Sequence, residues 1–592
     1  MINKIRSLKI VWNQYQFVLS SSQKRWGIVV FLLSMLGAVC ETLGVSAMLP
    51  LIQVIIAPEY LRENELFAPV IEKLHIYSDV VLIFAVGGGV ALVYILKNAI
   101  LFFISYVSVK YSCKVQRELS VEMMDSYMKR GYAFFIDSSI GSLLRGMQSS
   151  ISSTYTALKQ FFQLISEFLT ILFICIFIFF TDWVMALCIV ALAGLCLLAT
   201  ILVFQKSVRK ASETGHRLSA QGNRILIQAF EGIKEVLVMK RENFFVKRYR
   251  ENYTKQQKAL ISKTIAISSP AYIIEAVCII GLMTAVCIKA ISTEDSINFV
   301  AQLGTFAVAA FRILPSLGRI SSGFNQFMSC VPGINETYDN FLKARKAVSE
   351  KEEKFDVSKV EELSFSDKLR VDHVSWSYPN SDKLVLKDVS LDIYKGESVA
   401  FVGKSGAGKT TLADIILGLL IPQQGHILID GTDIQSIQRN WHKVIGFVPQ
   451  NVNLQDDTVR RNVAFGIDDK EIDDDRVWKA LEQAQMKDII EESKDGLNTM
   501  IGERGIRFSG GQKQRFAIAR ALYYNPDILV LDEATAALDT ETEKAVMDSI
   551  QLLQGNKTLI IIAHRITTIK NCDKIFRIEN GKAVEVKYED LL

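Results

Sequence analysis

The chain has 592 residues, half of them hydrophobic and 22% charged, with a formal net charge of +4. That length exceeds one ordinary domain, and a mean hydropathy of +0.23 across it implies a membrane part joined to a soluble part. The near-balance of charge argues against a nucleic-acid surface. The nine cysteines do not form a disulfide framework: Cys175, Cys188, Cys196, Cys278 and Cys287 lie in apolar runs, where a free cysteine packs as a small hydrophobe.

The first apolar run starts near Gly27 and continues through Leu49, too long for a cleavable signal peptide. Six such runs, near 27–55, 80–106, 161–180, 183–205, 265–290 and 297–328, each approach the ~20 residues that a bilayer requires. "FLTILFICIFIFF" is apolar on every face, so the runs fit a buried helical core in a soluble protein poorly. Between runs 1 and 2 lies the mixed polar and apolar stretch "PEYLRENELFAPVIEKLH" (58–75), which carries Leu66, Phe67, Val70, Ile71 and Leu74. The connections from run 2 to 3 and from 4 to 5 are long and basic, with Lys110, Lys114, Arg117, Lys129 and Arg130 in one and Lys206, Arg209, Lys210, Lys234, Lys240 and Arg241 in the other. The N-terminus adds Lys4, Arg6, Lys9, Lys24 and Arg25. The positive-inside rule then places both termini and both long loops in the cytoplasm of a multi-pass protein of a plasma or inner membrane.

The sixth run carries Arg312 and Arg319 on either side of Pro315. Each arginine in hydrocarbon costs at least a few kcal/mol. Seven residues are nearly two helical turns, so the two share a face. Lys97 in run 2 lies at similar depth. Three cations at one level predict a water-filled cavity that accepts an anion. The alternatives are snorkelling of Arg319 and pairing with Glu41 or Glu275.

Residues 341–369 are charged and read as a linker, and 370–592 as a soluble α/β domain in which "ESVAFVG", "HILIDG", "DILVLDE" and "KTLIIIAH" are strands between helical stretches. The first strand enters "GKSGAGKTT": Gly403, Lys404, Ser405, Gly406, Ala407, Gly408, Lys409, Thr410 and Thr411. This is the phosphate-binding loop G-x-x-x-x-G-K-[ST]. Its glycines let backbone N–H groups wrap phosphates, the following helix adds its positive end, Lys409 reaches the β- and γ-phosphates, and the Thr410 hydroxyl faces Mg²⁺. "ILVLDE" ends a strand with Asp532, suited to the Mg²⁺ shell, and Glu533, suited to polarise a water. In "RFSGGQKQRFAIARAL", Ser509, Gly510, Gly511 and Gln512 precede a helix and form a second anion-binding N-terminus. One domain has no internal use for two such sites. A head-to-tail dimer has, with each nucleotide between one chain's loop and the other's "SGGQ".

These motifs resemble those of the ATP-binding cassette family. The resemblance implies that Tyr378 in "VSWSYP" stacks on adenine, that Gln450 in "FVPQN" couples Mg²⁺ to the membrane part, that Asp539 in "AALD" contacts the partner and that His564 in "IIAHR" is the switch histidine. "GERG", Gly502 to Gly505, matches the exporter-type segment, and Phe508 stands where leucine is usual. By the same resemblance the chain is half an exporter: an α-helical six-span domain (1–340) fused through the linker to an α/β P-loop cassette, working as a homodimer with two complete ATP sites. Short helices around "YAFFIDSSIG" and "GNRILIQAFEG" would press on the cassettes, and ATP would drive alternating access. "CETLGVSAMLPLIQVI" and "FAVAAFRILPSLGRISS" further resemble bacterial lipid-linked oligosaccharide flippases. That resemblance implies an anionic polyprenyl-pyrophosphate-linked substrate contacted by Lys97, Arg312 and Arg319, and an extra external helix between runs 1 and 2, which 58–75 would supply with its apolar side in the outer interface; an ordinary polar loop is the alternative there. Export of a peptide, drug or simple lipid is the competing expectation. A regulatory or channel-type cassette is disfavoured by the intact Glu533 and His564.

Overall fold

The computed structural model describes residues 2–591 except 57, 60, 61, 63–67, 74–77, 182, 293–295, 355–364, 379, 380, 382, 503, 504, 534–539 and 564. The chain forms two compact units. One comprises Met1–Arg130 and Ser138–Lys346; the other comprises Gly131–Asp137 and Ala347–Leu592.

The first unit is helical. Helix Ile2–Val18 comes first, and Ser20 then starts helix Ser21–Ser46 with a capping box: its hydroxyl accepts from the Gln23 N–H while the Gln23 side chain accepts from the Ser20 N–H. Helix Met48–Ile56 follows, with Pro50 in its first turn, where a missing N–H does no harm. The later apolar runs are the membrane stretches of much longer helices: Asp79–Met128, Ile151–Thr181, Trp183–Glu231, Glu242–Ser292 and Ser296–Lys354. Their polar continuations, such as "KVQRELSVEMMDSYM", consist mainly of residues that tolerate or favour a helix, so no breaker ends them at the membrane surface. Among the described residues five stretches are long and apolar enough to cross a bilayer: Ser21–Ile55, Asp79–Met128, Ile140–Phe180, Val190–Glu231 and Glu242–Gly281. The sixth expected run lies on Ser296–Lys354, whose first part carries side chains outside the described set.

The interior of this unit gathers Val45, Ile174, Ile178, Ile274, Ile313 and Leu317. Its outer face shows Phe84, Leu195 and Phe180, the last 85% exposed. Such a surface would be untenable in water and is natural against lipid tails. Cys196 and Cys278 are buried in the core as expected, Cys175 is intermediate and Cys287 is exposed rather than packed.

One local expectation changes. "GNRILIQAFEG" does not form a separate short helix. Its apolar spacing continues the helix to Glu231, and the break comes at Gly232, after which Ile233–Val238 is the short helix. Of 58–75, helix Ala68–Lys73 is described, with Ile71 packed against Val54 and Leu82. Leu66, Phe67 and Leu74, and the side chain of Val70, lie outside the described residues.

The second unit holds two sheets. Strands β1 (Lys368–Trp376), β2 (Leu386–Tyr394), β4 (Gln424–Ile429) and β5 (Thr432–Asp433) form an antiparallel sheet in the order β2-β1-β4-β5. "HILIDG" therefore belongs here and not with the phosphate-loop strand. The other sheet has the order β10-β9-β3-β8-β7-β6, from β3 (Ser398–Val402), β6 (Ile445–Val448), β7 (Ile528–Asp532), β8 (Thr558–Ile562), β9 (Lys574–Glu579) and β10 (Lys582–Val586). It is parallel except for the β9–β10 hairpin. Strands β3, β7 and β8 are buried at every position, which is why they read as unbroken apolar runs. Helix Tyr132–Asp137 belongs to this unit, and Ala133 packs on the core that holds Phe401 and Trp441.

Candidate functional site

Strand β3 delivers the chain into the phosphate loop, whose backbone only glycine adopts freely. Gly403 has φ +146°, and a Cβ there would come 2.4 Å from the Ile578 carbonyl oxygen. Gly408, at φ +108°, caps helix Lys409–Ile416 in the left-handed region. The Lys409 ammonium folds over the loop, donating to the carbonyls of Gly403 (2.9 Å) and Lys404 (3.2 Å). Burial pushes its pKa down, and the Glu533 and Asp532 carboxylates oppose that shift. A cavity of about 740 Å³ opens against Gly403–Ala407 and is bordered by the basic side chains of Lys383, Lys387, Arg565 and Arg577. Backbone N–H groups, a helix start and these cations suit the cavity to an anion, with Glu579 also at its border. Tyr378 is exposed, with its ring edge-on to buried Trp376 at 4.5 Å, so a face is left for a planar base.

Strand β7 ends at Asp532, and Glu533 follows in the left-handed region at φ +45°. A non-glycine residue there is uncommon and turns the side chain sharply out of the sheet. Gln450, just after β6, donates Nε2–H to Glu533 Oε2 at 2.6 Å, and its own carbonyl accepts from Gln514 Nε2 at 2.8 Å. Strands β6 and β7 pair in parallel, so their ends bring the glutamine and the glutamate together across 83 residues of chain. The Thr410 hydroxyl, the Gln450 amide oxygen and the Asp532 carboxylate are hard oxygen donors of the kind that suit Mg²⁺.

Ser509 caps helix Gly510–Leu522 through a second capping box: its Oγ accepts from the Gln512 N–H at 3.3 Å and Gln512 Oε1 accepts from the Ser509 N–H at 2.9 Å. The serine hydroxyl keeps its own proton to donate. Phe508 lies edge-on to buried Phe516 at 4.9 Å, so the ring that replaces the usual leucine is absorbed by the core. His564 and Asp539, and Glu503 and Arg504 of "GERG", lie outside the described residues.

In the membrane unit the three predicted cations separate into two groups. Lys97 Nζ lies 3.2 Å from Glu41 Oε2, and Arg312 Nη2 donates to Glu41 Oε1. Arg319 grips Glu167 with Nε at 2.5 Å and Nη2 at 3.1 Å, and Nη2 also donates to Ser316 Oγ at 3.0 Å. The two arginines share a helix face, as their spacing implies, yet seven residues set them about 10 Å apart along the axis. Glu275 is exposed and has no ion pair with these cations. Glu167 was not anticipated. Its signal was an acid inside the apolar run "FFQLISEFLT", which demands a partner in hydrocarbon.

Residues 386–536 match the family model described as ABC transporter, and residues 28–308 match the one described as ABC transporter transmembrane region. An ATP-dependent lipid A-core flippase from Photorhabdus laumondii is 30% identical over 490 residues, 81% of either chain. A protein of the same name from Aliivibrio fischeri is 31% identical over 491 residues, again 81% of each. The heterocyst differentiation ATP-binding protein HepA of Nostoc sp. is 32% identical over 469 residues, 78% of this chain and 74% of that one. This chain belongs to the ABC transporters. The structure of a bacterial Atm1-family ABC exporter with ATP bound matches at TM-score 0.76 over 97% of each chain, with 23% identity, a likeness of fold. This ABC transporter is thus a multi-pass membrane protein with a helical exporter-type domain fused to a C-terminal cassette, and its ATPase is coupled to transport across the membrane.

Proposed function

We propose that this transporter is a homodimeric flippase that moves an anionic lipid-linked molecule, a polyprenyl-pyrophosphate-linked oligosaccharide, from the cytoplasmic to the outer leaflet. The observation that carries this reading is the pair Lys97 and Arg312, which meet on Glu41 within apolar helices. Two cations in hydrocarbon share one carboxylate, and a phosphate is the natural second partner for an arginine fork. Arg319 stands further along the same face, held by Glu167 and aligned to take part once that grip loosens. The relatives named as lipid A-core flippases favour a glycolipid cargo over a peptide or drug, and they support a second reading in which the lipid is not a polyprenyl one.

ATP supplies the work. Residues Gly403 to Thr411 cradle the phosphates, with Lys409 on the β- and γ-groups and Tyr378 against adenine. Thr410, Gln450 and Asp532 hold Mg²⁺, which neutralises phosphate charge when bound. Glu533 orients the attacking water, with Gln450 bonded to it, and His564 senses the γ-phosphate. Ser509, Gly510, Gly511 and Gln512 of the partner close over each nucleotide, and Asp539 lies at the same seam. The membrane domain extends to about residue 340 and the charged linker begins at 341; the cassette, expected over 370–592, also takes in Phe365 to Leu369, since β1 starts at Lys368 and Phe365 is buried in its core, and the cassette and both termini are cytoplasmic.

The test is reconstitution in proteoliposomes with a panel of fluorescent lipids: polyprenyl pyrophosphates with and without a glycan, a phosphorylated glycolipid without a polyprenyl chain, and a neutral polyprenol. ATP-dependent flipping of the pyrophosphates, impaired by Arg312→Gln, is the expected result. Full flipping by an Arg312→Gln, Arg319→Gln double variant refutes the anion reading, and preference for the other glycolipid replaces the cargo.

A further inference from the structure

Glu41 sits on helix Ser21–Ser46 with 8% of its surface exposed, and both of its oxygens are engaged, Oε1 by Arg312 and Oε2 by Lys97. The lysine reaches it because residue 44 is glycine: a Cβ at Gly44 would fall 2.8 Å from Lys97 Cδ. The ammonium is held on another side by the Tyr94 ring, 4.4 Å from its centroid. Three helices therefore build a cluster of two cations and one carboxylate, with a formal charge of +1.

The two arginines use their guanidinium edges differently. At Arg319 the edge formed by Nε and Nη2 is filled by both oxygens of Glu167. At Arg312 the equivalent edge is half-filled. Nη2 donates to Glu41, while Nε is buried and has no hydrogen-bond partner. A buried donor left unmade is costly and rare. An edge with one N–H spoken for and the other enclosed but unsatisfied takes a tetrahedral or planar oxyanion once the side chain shifts to expose Nε, and the incoming group completes the fork by taking over Nη2 as well.

We propose that Glu41 is a resident counter-anion, which the cargo's own anionic group displaces from Arg312 while Glu41 stays on Lys97, so that this carboxylate sets how much negative charge a lipid must carry to be accepted. The inference rests on the anionic-cargo reading above and adds a specificity residue to it. A weakly charged or neutral lipid cannot outcompete a carboxylate already in place. A pyrophosphate, with more charge and more acceptor oxygens, can.

The experiment is equilibrium binding of fluorescent polyprenyl pyrophosphate, polyprenyl monophosphate and polyprenol to the full-length transporter in nanodiscs of zwitterionic lipid. Glu41→Gln preserves shape and removes the competing charge. It is expected to tighten pyrophosphate binding about tenfold, the value of one lost competing ionic contact, to narrow the preference for pyrophosphate over monophosphate, and to leave polyprenol binding unchanged. A residue with a purely structural role would not improve affinity when replaced. If Glu41→Gln does not fold, Glu41→Asp serves. Its shorter carboxylate cannot span both cations, and about threefold tighter binding is expected from a partial loss of that contact. Unchanged or weaker binding by the folded variant, with Arg312→Gln still weakening it, overturns the role of Glu41 and leaves the anionic-cargo reading standing. A wild-type protein that binds polyprenol as well as the pyrophosphate overturns both.

Discussion

The Arg319–Glu167 pair gives the most direct check on the membrane unit. The Arg319 guanidinium donates three hydrogen bonds, two to Glu167 and one to Ser316, and the Arg319 and Glu167 side chains are 36% and 14% exposed. Removing one partner of a buried pair costs about 3–5 kcal/mol, because the other is left charged and unpaired. Arg319 is partly exposed, so water or lipid headgroups reach it and reduce the penalty for Glu167→Gln to about 1–2 kcal/mol. Glu167 is the more enclosed group, so Arg319→Gln is the worse lesion, about 2–4 kcal/mol. In the double variant two amides face each other without charge and can hydrogen-bond, so most of the loss returns. The assay is a double-mutant cycle on thermal midpoints, read as the monodisperse fraction in size-exclusion chromatography after heating in detergent. Coupling of about 2–4 kcal/mol is expected, the combined loss of the single variants less what remains in the double. A double variant no more stable than Arg319→Gln alone refutes the pairing, and with it the distinction between a clamped Arg319 and a half-free Arg312.

Further expectations concern both units. Glu533→Gln should bind ATP and lose at least ~100-fold in hydrolysis, as for a displaced general base, whereas Lys409→Ala should lose nucleotide binding itself; a nucleotide-binding titration beside a phosphate-release assay separates them, and normal ATP binding by Lys409→Ala would discard the loop assignment. The Asp414 carboxyl is pushed up to about 6 by burial and then by the Asp532 carboxylate. The unfolded chain loses this proton first, near pH 4. Stability therefore falls as pH rises from about 4 to 6 and stays lower above. Asp414→Asn should raise nucleotide-free stability at pH 7.5 by about 1–2 kcal/mol after solvent screening, with little effect at pH 4; equal shifts at both pH values would contradict this. Gly44→Ala should push Lys97 away from Glu41 and weaken binding of a pyrophosphate lipid. Unaltered binding would show that the lysine does not need that space.

The phosphate loop was legible because its chemistry is local: strand, glycine bend and helix start are consecutive in the chain, and Gly403 and Gly408 occupy backbone regions that other residues avoid. The membrane runs were legible for a different reason, since composition alone reveals a lipid solvent. What spacing could not reveal was partnership between distant helices. Arg312 and Arg319 share a face in any helix, and Glu41 was one of two acids in view, but its choice over Glu275, and Glu167 for Arg319, depend on how separate helices pack, 271 and 152 residues away in sequence. The same holds for "HILIDG", whose apolar alternation suits either sheet and whose place beside β1 is a matter of tertiary pairing. The helix that runs through "RILIQAFE" to Glu231 shows the opposite failure, a local pattern so regular that only Gly232 marks its end.

Residues 131–137 fold with the cassette although they are encoded inside the membrane part. Translation therefore delivers this small piece long before the strands it joins. Until Ala347 and the residues beyond it emerge, Ala133 and its neighbours have no core to cover. The cassette in turn cannot be made whole from its own contiguous stretch. Phe365 is buried in its core, and Asp430 accepts hydrogen bonds from Ser366, Asp367 and Lys368, so a fragment cut at 370 lacks an anchor at one edge and the 131–137 patch at another. The core of the cassette is thus complete only when residues 131–137, synthesised well before its strands, are present to be captured.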